Sequence, residues 1–282
     1  MPAPKSAKLV LYACALVLAI GSALLGLAHI LATAGDSVLT ITTTTSLDNS
    51  GLFDQLIPAF ERKYKVKVRY MAVGTGEAIR LARDGNADLI FVHDKKREQA
   101  FLRDGYGLAR YEVMKNYFTL VGPKTLAGDS ADRSIRETLE EIAQRQLKFV
   151  SRGDESGTHS REKQLWQTCA ITPSGSWYLE TGSGMAATLR VANEKRAFTL
   201  TDSATFRALR RELDLVPYSP PEPALANIYT LIPVSPAKHP DAQLDLAKKF
   251  IRFVLTEQGR EIIKTYGQDT HGEPLFVLLE KP

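Results

Sequence analysis

Four short segments of the chain combine serine, threonine and glycine in a pattern suited to binding a negatively charged ligand. They are Thr43-Thr44-Thr45-Ser46 with Asp48-Asn49-Ser50-Gly51, then Val73-Gly74-Thr75-Gly76, then residues 151–159, and then Thr181-Gly182-Ser183-Gly184-Met185, numbered here as turns one to four. Each follows a predicted strand and opens a predicted helix, where hydroxyls, free backbone N–H groups and the helix dipole favour an anion. If the four turns meet in one cleft, they form a cage of neutral donors.

Arg152, in turn three, is the only basic residue in the four turns. Its guanidinium has the fork geometry that binds two oxygens of an oxyanion at once. Asp154 and Glu155 follow it closely, and a carboxylate beside the ligand would oppose anion binding unless it points away. The alternative for Arg152 is therefore an ion pair with one of these two residues.

Each turn taken by itself has a structural interpretation. Threonines are common in strands, and a serine or threonine before a helix most often only caps it. The sequence Gly74-Thr75-Gly76 also lacks the third glycine of a dinucleotide-binding fingerprint. The functional interpretation therefore depends on the four turns acting together.

Catalytic and metal-binding alternatives have weaker support. Ser156 with His159 could serve as nucleophile and base, but Ser156 is one place out of the nucleophile-elbow pattern, and His159 at a helix start is better explained by capping or packing. His93, His239 and His271 lack the spacing of a metal-binding helix, so no metal site and no cofactor are predicted. Cys169, beside Trp166, is expected to be a buried small hydrophobe.

The composition is that of a globular protein. The chain has 282 residues with a formal net charge of +4, and charges of both signs alternate along it, which argues against a nucleic-acid ligand. Two cysteines cannot form a disulfide framework.

The first 34 residues have the features of an export signal. Lys5 and Lys8 precede an uncharged run at 9–28, and Ala32-Thr33-Ala34 fits a cleavage site. An uncleaved membrane anchor at 9–28 is the alternative, and either case predicts a periplasmic location for the remaining residues. Cys14 does not end the apolar run, which disfavours a lipidation site.

From residue 38 onward, β-branched runs alternate with amphipathic helical runs, which predicts an α/β protein with largely parallel strands. The predicted strands are 38–43, 66–70, 87–92, 117–121, 148–151, 177–179, 198–200 and 229–234. One long helix is predicted over 241–266. Glycine and proline residues near 122–123 and 217–223 mark two chain crossings between lobes. They predict one lobe at 35–121 plus 225–282 and a second at 122–224, with a hinge and a ligand cleft between them.

The motifs together resemble a known family. The four turns, followed by Ala192-Asn193-Glu194-Lys195 and Phe198-Thr199-Leu200-Thr201-Asp202, are similar in kind and order to those of the tungstate-binding proteins of bacterial tungstate ABC transporters. The resemblance covers roughly residues 38–276. It implies a two-lobed periplasmic binding protein of the type II kind, monomeric, that closes on one tungstate ion and delivers it to a permease driven by an ATPase.

The resemblance also implies which residues contact the ligand. Together with Ser156 from the same turn as Arg152, the predicted ligand-binding residues are Thr45, Ser46, Gly74, Thr75, Gly76, Arg152, Ser156, Thr158, Ser183, Gly184 and Met185. The chain departs from the family at Leu47, where a polar residue is usual, and at Ile228, where a small residue or proline is expected.

A site made almost wholly of donors suits tungstate, which is doubly charged and carries no proton. A phosphate site benefits instead from a carboxylate that accepts the proton, and Asp154 is the candidate for that role. The residues do not separate molybdate from tungstate, and only the family resemblance favours tungstate. A secreted hydrolase using Ser156 and His159, and a membrane-tethered sensory domain of the same fold, remain as alternatives.

Overall fold

The structure, a computed structural model, describes residues 38–126, 133–154 and 156–280. The predicted export segment 1–34 and Glu155 lie outside the described residues. Strands and helices alternate along the described chain, which confirms the predicted α/β class. No helix in these three stretches is both long and apolar enough to cross a membrane.

The described residues form ten strands. They are β1 (Val38–Thr44), β2 (Lys67–Val73), β3 (Leu89–Val92), β4 (Tyr111–Pro123), β5 (Phe149–Ser151), β6 (Tyr178–Glu180), β7 (Thr199–Asp202), β8 (Leu215–Pro217), β9 (Ala226–Pro233) and β10 (Val277–Leu278).

The same residues form eleven α-helices. They are α1 (Thr45–Asn49), α2 (Leu52–Tyr64), α3 (Thr75–Arg83), α4 (Lys95–Arg103), α5 (Ile135–Gln144), α6 (Gly157–Thr168), α7 (Met185–Lys195), α8 (Ser203–Leu209), α9 (Leu244–Thr256), α10 (Gln258–Thr265) and α11 (Gln268–His271).

Eight strands form one mixed sheet in the order β10-β4-β9-β3-β1-β2, with β7 and β8 also paired to β4. A second sheet pairs β5 with β6. The prediction of largely parallel strands is wrong: β1 with β3 and β5 with β6 are parallel, whereas β4 with β9, β3 with β9 and β4 with β7 are antiparallel. The chain leaves the first lobe along β4 and returns along β9, so these two connecting strands run in opposite directions.

Strand β4 is shared between the two lobes. From Tyr111 to Tyr117 it pairs with β9, and from Phe118 onward it pairs with β7 and β8. The strand is longer than the predicted 117–121, because its first half carries polar and exposed residues that hide the strand pattern. The predicted lobe boundary at 121/122 remains a proposal, and the change of partner lies within the same strand.

The first lobe packs helices on both faces of its sheet. Alternate residues of β3 point to opposite faces, with Phe91 in the core on one side and Ile90 in the core on the other. On the first side, the Phe60 ring of α2 lies 5.0 Å from Phe250 and 5.5 Å from Phe253 of α9. On the other side, Phe101 of α4 is fully buried.

The second lobe has its own hydrophobic cores. Phe149 of β5 packs on Trp166 of α6, with their ring centroids 5.2 Å apart. A separate cluster joins Val121, Val150 and Met185 under α7. Two lobes with separate cores and two connecting strands are the arrangement that permits a cleft between them.

The predicted helix over 241–266 is wrong in one respect, because it is interrupted. Glu257 adopts an extended conformation between α9 and α10, with φ −123 and ψ −154. Its carboxylate accepts a 2.7 Å hydrogen bond from the Tyr64 hydroxyl and pairs with Lys63, both on α2. This anchoring to a neighbouring helix is a tertiary effect that helical periodicity does not reveal.

Candidate functional site

Turn one connects β1 to a single helical turn, α1, rather than to a loop. Thr44 caps α1, because its Oγ1 accepts a hydrogen bond from the Leu47 N–H at 3.3 Å. The buried Ser46 hydroxyl oxygen lies 3.1 Å from Thr44 Oγ1 and 3.1 Å from His93 Nε2. Turn one therefore presents a linked set of buried hydroxyls.

Turn two begins α3 with glycine at the cap position. Gly74 has no side chain to satisfy the first N–H groups of the helix, and no atom of the described residues lies within 4 Å of the place where its Cβ would be. The next residue, Thr75, is buried, and its Oγ1 accepts a hydrogen bond from the Gly157 N–H of the other lobe at 3.3 Å. The donors at the start of α3 thus have no side-chain cap and lie beside an inter-lobe contact.

Turn three is held in position by a buried carboxylate, that of Glu162, which was not predicted from the sequence. Glu162 of α6 accepts hydrogen bonds from the Ser151 hydroxyl at 2.7 Å and from the Tyr178 hydroxyl at 2.7 Å. His159 Nδ1 lies 3.1 Å from the same Ser151 oxygen. Ser151 is fully buried at the end of β5, so this network holds the residue immediately before Arg152.

Arg152 is itself buried and is paired with Asp154, which is the alternative that the sequence left open. Its Nε and Nη2 atoms both donate to Asp154 Oδ2, at 3.1 Å and 2.6 Å. The other carboxylate oxygen, Oδ1, accepts from the Ser156 N–H at 3.1 Å. Both oxygens of Asp154 are therefore engaged within turn three.

Turn four follows β6 and begins α7 with glycine at the cap position. The Ser183 hydroxyl donates to the Thr181 carbonyl at 3.1 Å, within the turn. Gly184 caps α7 without a side-chain hydrogen bond, so the first N–H groups of α7 have no side-chain cap. The Met185 side chain is fully buried in the core of the second lobe, which leaves its backbone as the part that can face a ligand.

Contacts among the turns show that they converge. Turns one and four are neighbours, because a Cβ atom added to Gly184 would lie 4.0 Å from Thr45 Oγ1. Turns four and three are joined because the Thr181 N–H donates to the Ser151 carbonyl at 3.0 Å. Turns three and two are joined by the hydrogen bond from Gly157 to Thr75. The structure thus brings all four predicted turns together between the lobes.

Two threonine hydroxyls in this cluster are buried without a protein partner. Thr45 Oγ1 of turn one and Thr158 Oγ1 of turn three have no hydrogen-bond partner among residues 38–126, 133–154 and 156–280. A buried hydroxyl left unpaired costs free energy, about 1–3 kcal/mol. Such groups are explained when they bind a ligand, and both residues belong to the predicted ligand set.

His93, at the end of β3, belongs to the same cluster, although the sequence analysis found no role for it. Its ring is 8% exposed and lies 4.7 Å from the Tyr229 ring. Burial, reinforced by the nearby positive charge of Arg152, lowers the pKa of His93 to about 4 against the opposing effect of Asp94. A single histidine after a strand carries no spacing signal, so only the fold reveals it.

The hydrolase alternative is not supported by the geometry. Ser156 Oγ accepts a hydrogen bond from the His159 backbone N–H at 3.1 Å, which makes it the cap of α6. The His159 imidazole is bonded instead to Ser151. In the described part of the chain, no group of three or more His, Cys, Asp or Glu residues is arranged to hold a metal ion.

The fold and the converging turns define a two-lobed binding protein whose cleft is lined by helix starts. Residues 31–258 match the model of a PBP superfamily domain. The chain is 38% identical over 239 residues to the tungstate-binding protein TupA of Peptoclostridium acidaminophilum, covering 84% of this chain and 84% of the relative. The chain therefore belongs to the PBP superfamily and, within it, to the family of the TupA proteins.

Solved structures agree with this assignment. The tungstate ABC transporter structure from Geobacter sulfurreducens is 42% identical, with a TM-score of 0.74 over 81% of this chain and 98% of that one. The tungstate-binding protein TupA from Desulfovibrio alaskensis is 35% identical, with a TM-score of 0.72 over 87% of this chain and 100% of that one. The two-lobed fold expected from the sequence is confirmed.

Proposed function

We propose that this chain is an extracytoplasmic binding protein that captures tungstate between its lobes and delivers it to an ABC transporter. It acts by binding and not by catalysis. The observation that carries the proposal is the pair of buried, unpaired hydroxyls, Thr45 Oγ1 and Thr158 Oγ1, each without a hydrogen-bond partner within the described residues. They lie in turns that meet between the lobes and that also offer the starts of α3 and α7.

The predicted ligand residues divide by how they would act. Thr45, Ser46 and Thr158 would donate from hydroxyls, and Arg152 would donate from its guanidinium. Backbone N–H groups would donate at Gly74-Thr75-Gly76 and at Ser183-Gly184-Met185. Ser156 would act mainly by capping α6 and so fixing the direction of its first N–H groups.

The charge arrangement favours a fully deprotonated oxyanion. Asp154 has both oxygens engaged by Arg152 and Ser156, so it is not free to accept a proton from hydrogen phosphate. A dianion with four acceptor oxygens, such as tungstate or molybdate, needs donors alone. The choice of tungstate over molybdate follows the relatives, two of which are named as tungstate-binding proteins.

The location and the partners follow from the same function. The protein would act in the periplasm as a monomer, either released after cleavage near residue 34 or held through residues 9–28. Its partners would be the permease and the ATPase of a tungstate transporter.

Calorimetric titration of the exported protein with tungstate, molybdate, sulfate and phosphate tests the proposal. We expect saturable one-to-one binding of tungstate, weaker binding of sulfate, and no measurable heat with phosphate. Phosphate binding tighter than tungstate binding would refute the proposed ligand class. The double variant Thr45→Val with Thr158→Val removes both unpaired hydroxyls while keeping their shape, and it should lose tungstate binding while remaining folded.

A further inference from the structure

A cavity of about 630 Å³ lies where the two lobes join, and we call it the hinge cavity. Its walls come from residues 115–119 of the shared strand β4, from α8 with the following residue Arg210, and from residues 273–278 near the C-terminus. None of the described residues that line it belongs to the four turns. The hinge cavity is therefore separate from the candidate tungstate site.

The floor of the hinge cavity is apolar. Phe118, Phe206, Leu275 and Phe276 line it, and each of these side chains is at most 5% exposed. Val277 adds apolar surface that is 51% exposed. Apolar walls of this kind hold the apolar body of a small molecule, and the volume lies within the range of small-molecule sites, about 300–1,000 Å³.

The rim of the hinge cavity carries an excess of positive charge. Its basic side chains are those of Lys115, Arg207, Arg210 and Lys264, whereas Glu273 is the only acid among the described residues that line it. Glu273 is already paired with Arg207 at 2.8 Å. Arg210 takes part in no salt bridge of the described ranges, so its charge is free to attract an anionic group.

An apolar floor below a basic rim selects for one chemical class of ligand. An amphipathic organic anion, such as a carboxylate with an aliphatic or aromatic body, complements both parts. Tungstate has no apolar body to place on the floor, and an amine of similar shape would meet the rim with like charge.

The walls of the hinge cavity belong to both lobes, which makes its shape depend on how the lobes are arranged. Helix α8 packs into both, because Ala204 lies in the core of the first lobe and Phe206 in a core of the second. Arg207 of the same helix donates to the Pro274 carbonyl at 3.4 Å. The cavity has its present shape while the Gly157 N–H of one lobe is hydrogen-bonded to Thr75 of the other. A ligand that fits this shape stabilises the arrangement in which the lobes touch.

We propose that the hinge cavity binds an amphipathic organic anion and that this binding strengthens the binding of tungstate. The coupling rests on the proposed function, whereas the site itself does not. Because coupling between two sites is reciprocal, tungstate strengthens the binding of the organic anion by the same factor.

Octanoate is the probe for the site, with octanol and octylamine as molecules of equal chain length and different charge. We expect calorimetry to show saturable binding of octanoate, binding of octanol that is weaker by about tenfold or more, and no binding of octylamine. Arg210→Glu should weaken octanoate binding by about tenfold or more. Arg211→Glu is the matched control, because it makes the same change of charge one residue further along and is not among the described residues that line the cavity. Equal octanoate affinity in these two variants would overturn the site, and equal affinity for octanol and octanoate would overturn the ligand class.

Tungstate titration with and without saturating octanoate tests the coupling. We expect octanoate to raise tungstate affinity about fivefold or more, and we expect Arg210→Glu to abolish this rise without changing tungstate affinity in the absence of octanoate. Unchanged or weakened tungstate affinity in wild type would overturn the coupling.

The double variant Thr45→Val with Thr158→Val separates the two sites. It should lose tungstate binding and keep octanoate binding, whereas loss of both would place octanoate in the cleft and overturn the separate site. Wild-type protein that binds octanoate but none of the four oxyanions would refute the proposed function and leave the hinge cavity as a binding site.

Discussion

Ser156 and Thr158 stand two positions apart at the start of α6, yet their hydroxyls have different surroundings. Ser156 caps the helix, so Ser156→Ala should lower the free energy of unfolding by about 1 kcal/mol. Thr158 Oγ1 finds no partner in the described ranges, so Thr158→Ala should not lower the melting temperature of the free protein. It should weaken tungstate binding by about one to two decades, and Thr158→Ser should restore it. Full affinity in Thr158→Ala would place the site elsewhere.

The Arg152 guanidinium is already paired with Asp154. Arg152→Lys keeps the charge but loses the fork, so we expect tungstate affinity to fall about tenfold or more, with a change in the ratio of tungstate to molybdate binding. Titration of Arg152→Lys and Arg152→Ala with both ions, beside melting curves, measures this. Arg190→Ala is the control, because the pair of Arg190 with Glu212 is exposed. Wild-type tungstate affinity with a lowered melting temperature would show that Arg152 only forms a structural ion pair and does not bind the ligand.

Two buried groups should give opposite pH dependences of stability. Burial lowers the pKa of His93 to about 4. Its contribution to the free energy of unfolding is therefore complete above pH 6.5 and is lost as the pH falls toward 4. Burial raises the pKa of Glu98 to about 7 despite its pairing with Arg110, so its contribution is complete below pH 4.5 and is lost as the pH rises through 7.

Each full shift corresponds to roughly 3 kcal/mol. Denaturant unfolding between pH 4 and 8 should therefore show that His93→Gln gains stability relative to wild type on acidification. Glu98→Gln should gain relative stability as the pH rises. Parallel curves for both variants and wild type would show that neither residue titrates as its burial requires.

Among the helices, the start of α6 lies close to His93 and Thr75 of the first lobe, and we expect this close approach to control closure. A Cβ on Gly157 would lie 2.9 Å from His93 Cε1 and 3.3 Å from Thr75 Oγ1, both in the first lobe. Gly157 has ordinary helical geometry, so alanine would fit the helix itself without strain. We expect Gly157→Ala to weaken tungstate binding by at least about tenfold without lowering the melting temperature of the free protein.

Gly184→Ala provides the comparison, because a Cβ added at this helix cap would lie 4.0 Å from the nearest atom, Thr45 Oγ1, which is an ordinary contact distance. Equal tungstate affinity in wild type and Gly157→Ala would show that the two lobes do not need this contact to hold the ligand.

The local sequence pattern predicted the strands and helices whose position depends only on burying their own apolar residues. The strand Val38–Thr44, predicted over 38–43, and the helix Leu52–Tyr64, predicted only as the helix that turn one opens, were found because their residues follow the period of one element. The helix at Ser203–Leu209 was missed, since it is capped by the buried Asp202, which is tied to Asn116 of β4 at 3.0 Å. The interruption at Glu257 was missed for the same reason, because both depend on residues distant in sequence.

The residues of the candidate site also divide into those that the local pattern predicted and those that depend on distant residues. Helix-start turns can be read from serine, threonine and glycine, so the four turns were found and the structure brings them together. His93 and Glu162 were missed, because a histidine after a strand and a glutamate within a helix acquire a role only from what packs on them. The roles of the individual ligand residues remain predictions for the titrations above.

For the whole molecule, the prediction concerns closure on the ligand. The two lobes touch through the Gly157 to Thr75 hydrogen bond, and a ligand held by both lobes stabilises that arrangement. Saturating tungstate should lower the radius of gyration in solution scattering and raise the melting temperature, by a stabilisation of about 2.7 kcal/mol at a hundredfold excess over Kd. Sulfate at the same concentration is the comparison. Scattering profiles that overlay with and without tungstate would exclude a hinged clamp.

The sharing of β4 between the lobes also imposes an order on the assembly of the two lobes. The strands that β4 needs in the second lobe, β7 and β8, come before β9 in the chain, whereas the first lobe needs β9 to fill the place between β3 and β4. A chain that emerges from its N-terminus can therefore complete the second lobe while the first still exposes two unpaired strand edges, which are the usual sites of aggregation. A polypeptide that stops before Ala226 would keep the pairs of β4 with β7 and β8 and leave the first lobe open. The strands of the first lobe are thus made early but stay unprotected until β9, in the last fifth of the chain, is added.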